Sequence, residues 1–166
     1  MEFEVLQQLR GSLDAVEAAF LDPAFVQELA TLPKMGRIEL LDQHATGDQV
    51  HRRVRYTFGG EVSAAVNAVV DPARLTWVEE STIDRVTHVT TFRILPDYYA
   101  RLLEASGTIR LTEEPEHTTT FREIDGNVAV HVPLVGRKVE QVIVSDLKDN
   151  VALQGQLIER WVATHH

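Results

Sequence analysis

Between residues 2 and 10 the side chains alternate, with Phe3, Val5 and Leu9 on one side and Glu2, Glu4 and Arg10 on the other, as in a half-buried strand. The period then lengthens. Ser12 can cap a short helix, LDAVEAAF, which stops at Asp22-Pro23. That pair is itself a helix start, an acidic cap followed by proline at the first helical position, so a second short helix, AFVQELATL, follows. Alternation returns in MGRIELLDQHAT and QVHRRVRYTF, a hairpin turning at Gly47-Asp48. This register sets Asp42 against Arg53 and His44 against His51, and opposite charges on one face support it. The other face then carries Leu41, Gln43, Arg52, Val54, Tyr56 and Phe58.

Residues 60–70 read as a helix or a bent edge segment that Asp71-Pro72 breaks. Strands are expected over 74–82 and 85–94, then over 106–113 and 117–132. Asp125-Gly126-Asn127 suggests a bulge in one long bent strand. From Pro133 the chain turns to a helical period and keeps it to the end. On a wheel of about 100° per residue, Val139, Val142, Ile143, Leu153, Leu157 and Trp161 share one side. Asp146 and Asn150 fall within that apolar side, and burying them against hydrocarbon is costly without partners or solvent. The helix therefore either satisfies them by hydrogen bonds or lines a cavity.

Strands joined by tight turns make an antiparallel sheet with one face to cover. A helix of about 27 residues reaches roughly 40 Å, long enough to cross a curved sheet. The expected fold is α+β: about seven strands curving around a long C-terminal helix, with two short helices after the first strand, in a single domain over residues 1–166. A gap between helix and sheet is a natural pocket.

Composition narrows the functions. A net charge of −9 argues against nucleic acid and anionic membrane, and no apolar run approaches a spanning helix. Zero cysteines exclude disulfides and thiolate chemistry, and an acidic start without an apolar core is unlike a signal peptide, so a cytoplasmic protein is expected. Phosphate-loop, dinucleotide, zinc-protease and nucleophile-elbow motifs are all absent, and no cofactor or metal is expected. His44 and His51 could pair as metal ligands, but their face also carries Asp42, Arg53 and Arg55 and looks solvated. Oligomeric state is not legible.

The order of elements resembles the START-like SRPBCC superfamily, and looks most like its actinobacterial branch DUF2505. The likeness rests on VPLVG-x-K-x-E (Val132 to Glu140), the terminal Glu159-Arg160-Trp161, RRVRYTF, WVEE and the SGT turn. The resemblance implies a helix-grip fold around a hydrophobic cavity, as in lipid carriers, hormone receptors, aromatase/cyclases and chaperone activators. It implies no catalytic residue.

The expected function is binding or carriage of a small hydrophobic molecule, lipid or polyketide-like, between helix and sheet. Asp146, Asn150 and Arg52 would hold its polar end. Tyr56, His88, Val139, Val142 and Leu157 would complete the wall. Arg52 on the inward face wants a carboxylate, and Asp146 is the partner expected, as brace or as clamp. One alternative is a cyclase or dehydratase working through His88 and Asp146, and another is an interaction domain with a filled core.

Overall fold

A computed structural model describes residues 1–165. Strand β1 (Glu2–Arg10) leads into α1 (Leu13–Leu21), whose first turn is capped by the Ser12 hydroxyl accepting from the Ala15 amide at 3.2 Å. Asp22 caps α2 (Pro23–Glu28), with proline in the first turn as expected. Six strands follow: β2 (Met35–Thr46), β3 (Gln49–Phe58), β4 (Thr76–Asp84), β5 (Val89–Pro96), β6 (Leu103–Glu113) and β7 (Thr119–Val130). A single turn of helix, α3 (Ala64–Asn67), lies between β3 and β4, and α4 (Gly136–Thr164) ends the fold.

The seven strands form one antiparallel sheet in the order β1-β7-β6-β5-β4-β3-β2, so β1 and β2 are its edges. Asp42 faces Arg53 and His44 faces His51, as the turn at Gly47-Asp48 requires. Two expectations about register fail. An irregularity between Leu40 and Asp42 sets Leu40, not Leu41, opposite Val54, and Leu41 turns outward. No bulge interrupts β7: Gly126 pairs in register with Phe3 on one side and Gly107 on the other. Its role is spatial, because a Cβ on Gly126 would stand 2.5 Å from the Phe3 ring. The β4–β5 turn also comes later than expected. The Asp84 carboxylate accepts the amides of Val86 and Thr87, which extends β4 to Asp84 and leaves His88 in the turn rather than in a strand.

Two hydrophobic clusters share the interior. One joins α1, α2, β2 and β3 to the C-terminal half of α4 around Phe25, Val54 and Ile158. The other joins β1 and β7 to its N-terminal half around Phe3, Val128 and Val144. The buried side of α4 keeps Val139 from the side its large apolar residues mark on a wheel and extends past it to Val144, Val151, Gly155 and Ile158. Gly155 brings α4 close to β1: a Cβ at position 155 would run into the Gln7 amide and come within 3.3 Å of Leu9.

Candidate ligand-binding site

Helix α4 packs on β7, β1, α1 and α3. It makes no comparable contact with β4 or β5. Residues paired across strands share a face, so Tyr56–Trp77, Val54–Glu79, Arg52–Ser81, Glu79–Ile94 and Ser81–Phe92 all look inward. Trp77, Phe92 and Ile94 are only partly covered, as are Ile143 and Leu147 on the facing flank of α4. Trp77 packs at the edge of the first apolar cluster, and Phe92, Ile143 and Leu147 pack at the edge of the second. The Tyr56 and Trp77 rings stack at 5.9 Å on the inward face.

A polar belt lies between the two apolar clusters. Arg122 of β7, 6% exposed, donates from Nη1 to Gln154 Oε1 at 3.2 Å. Gln154 Nε2 in turn donates to Asn150 Oδ1 at 3.0 Å. The Arg122 guanidinium lies 4.6 Å over the Phe20 ring, and Arg52 Nη1 donates to the Phe20 carbonyl, so both arginines converge on one residue of α1. Glu79 of β4 completes the group. Burial pushes its carboxyl above the usual carboxylate range, against the pull of Arg52 and Arg122. Burial likewise raises the Tyr56 hydroxyl, with Glu79 beside it, and lowers Arg122 to about 10. Four buried polar atoms in this layer have no partner among the described residues: Gln7 Oε1, Gln43 Oε1, Arg52 Nε and Arg122 Nε. Buried polar groups in proteins are nearly all satisfied, so four together call for an explanation.

The predicted site residues divide. Asn150, Arg52 and Tyr56 belong to the belt. Val139 is buried, Val142 is half-buried on the same helix, and Leu157 packs on the first cluster. Asp146 is not in the belt and does not meet Arg52: 41% exposed, it pairs with Lys34 at 3.0 Å, at the rim. His88 lies 2.7 Å from the buried Glu17 of α1. His88 and Asp146 thus have separate partners, and no acid–base pair forms between them. The rings of His44 and His51 do come together, 5.2 Å apart, but no cluster of three metal-ligating side chains occurs among the described residues.

Arg122 escaped the sequence reading, and Glu79, which the acidic pair Glu79-Glu80 suggests is solvated, turns inward instead. WVEE presents two glutamates in a row, and only the strand register tells which one faces inward. Glu80 faces outward to Arg93 at 2.7 Å and Arg53 at 3.4 Å. In FREID, the alternation of Arg122 with Phe121 was the available signal, and it misleads because Phe121 is the exposed one.

Solved structures share this architecture. The aromatase/cyclase Zhui from Streptomyces sp. R1128 superposes with a TM-score of 0.70 at 14% identity, over 98% of this chain and 93% of that one. The protein TTHA0849 from Thermus thermophilus gives 0.70 at 15% identity, over 98% and 97%. Norcoclaurine synthase from Thalictrum flavum gives 0.67 at 15% identity, over 99% and 87%. At such identities the likeness is one of fold: a helix-grip sheet around a long C-terminal helix. No curated protein matches the chain in sequence. Among the described residues no helix is long and apolar enough to cross a membrane. Residues 4–162 match the profile described as protein of unknown function (DUF2505), and the chain belongs to that family.

Proposed function

We propose that this protein binds and carries a small hydrophobic molecule, lipid or polyketide-like, in the cleft between α4 and the inner faces of β4 and β5. One observation carries the reading: the inward face of the sheet and the flank of α4 combine partly covered apolar residues, Trp77, Phe92, Ile94, Ile143 and Leu147, with a belt of polar groups whose hydrogen bonds are incomplete. A protein with a filled core has no use for that combination, whereas an amphipathic guest would cover the wall and complete the belt. The fold shared with an aromatase/cyclase supports the reading. Native mass spectrometry of protein purified from its source tests it. A bound small molecule, released by organic solvent, is the expected result, and a bare polypeptide mass under gentle conditions contradicts it.

A second reading has its own support. Glu79, held toward its neutral form by burial beside Tyr56, is suited to donate a proton to a bound carbonyl or hydroxyl in a cyclase- or dehydratase-type reaction. Glu79→Gln would then abolish turnover while leaving the ligand bound. Carriage alone predicts no turnover in either protein.

A further inference from the structure

We infer that the ligand's polar end is an anion, a carboxylate, held by Arg52 and Arg122 in the middle of the cleft. The inference rests on the ligand-binding reading above and adds the chemistry of the head group. The chain as a whole carries −9, yet two guanidinium groups, Arg122 buried and Arg52 half-buried, meet here against the one carboxyl of Glu79. Neither arginine forms an ion pair within 4.0 Å among the described residues. Glu79 supplies at most one negative charge against the two, and burial draws it toward its neutral form. A buried cation without a counter-charge is costly, so a negative group belongs there.

The geometry says which kind. Each arginine spends Nη1 on the protein, Arg122 on Gln154 and Arg52 on the Phe20 carbonyl. Each leaves Nε buried and unpartnered. The edge of a guanidinium formed by Nε and the adjacent Nη2 is the edge that takes a carboxylate through two parallel hydrogen bonds. Phe20, touched by both arginines, holds the two groups on the same region of the cleft floor. From that floor the wall of Phe92, Ile94 and Leu147 offers an apolar tail somewhere to lie.

Calorimetric titration near neutral pH with decanoate and with decanol, which share a chain and differ in the head, separates the claims. The native protein is expected to bind decanoate at least about tenfold more tightly than decanol. That ratio should fall towards one in Arg122→Gln and Arg52→Gln, and Arg122→Lys should keep part of it. A ratio near one in the native protein, or one unchanged in both glutamine variants, overturns the inference while leaving a hydrophobic site intact. Binding of neither compound overturns the ligand-binding reading and this inference with it. Should Arg122→Gln fail to fold, the native ratio and the Arg52→Gln ratio decide.

Discussion

Lys34 Nζ lies 3.0 Å from the Asp146 carboxylate, tying the loop in front of β2 to the middle of α4 at the rim of the cleft. Lys34 is itself held in a left-handed conformation (φ 65°), and its carbonyl accepts the Gly59 amide at 2.9 Å. Both charged side chains are nearly half exposed, so their attraction is screened and contributes at most about 1 kcal/mol to stability. Its position matters more than its strength. Lys34→Ala is predicted to leave the melting temperature nearly unchanged and to speed release of a bound hydrophobic probe, as measured by stopped-flow displacement. An unchanged release rate would show that the pair does not gate the cleft.

The contact of Gly155 with Gln7 yields a stability prediction. Gly155→Ala should gain about 1 kcal/mol of helix propensity but lose about 1–3 kcal/mol by overpacking against the Gln7 amide. That amide donates to the Val151 carbonyl at 2.8 Å. The net expectation is a lower melting temperature for Gly155→Ala, restored in part when Gln7→Ala is added. If the two substitutions are additive, close approach at this crossing is not what positions α4.

His88 and Glu17 make a third test. Removing the imidazole leaves a carboxylate that is 7% exposed without its 2.7 Å partner, and only Arg85 at 4.0 Å remains nearby. His88→Ala should cost about 1–3 kcal/mol of stability while ligand affinity stays at the native value. A large loss of affinity with the fold intact would return His88 to the binding site.

The polar belt sets a pH dependence. Burial raises the folded-state pKa of Glu79 above its value in the unfolded chain. Its contribution to stability is therefore fully present below the unfolded value, about 4.3, and is lost as pH rises through the raised folded value. Melting temperatures of native protein and Glu79→Gln, compared from mildly acidic to mildly alkaline pH, should diverge in favour of the variant as pH rises. Parallel curves would mean that Arg52 and Arg122 cancel the cost of burial.

Most of the architecture was legible because periodicity reports burial directly. Alternation marked the strands, Ser12 and Asp22 marked the two short helices, and Gly47-Asp48 gave the register of the first hairpin. The failures share a cause, which is that distant packing decides them. Gly155 carries no hydrophobic signal, yet it is among the buried positions of α4, close against Gln7, while Asp146 stands 41% exposed beside Lys34. Which glutamate of WVEE faces inward depends on the pairing of β4 with β3, and Arg122 gains meaning only once β7 lies beside β1. Of the predicted polar anchors, Arg52 and Asn150 join the polar belt, Arg52 through the Phe20 carbonyl and Asn150 through Gln154.

Energy transfer from Trp77 to a neutral dansyl-labelled alkyl amide tests the central claim most directly. The protein has two tryptophans, so Trp161→Phe leaves Trp77, on the cleft wall, as the sole donor. The account predicts saturable one-to-one transfer that decanoate reverses by displacement. Absence of saturable transfer, or transfer that no hydrophobic competitor displaces, would contradict it.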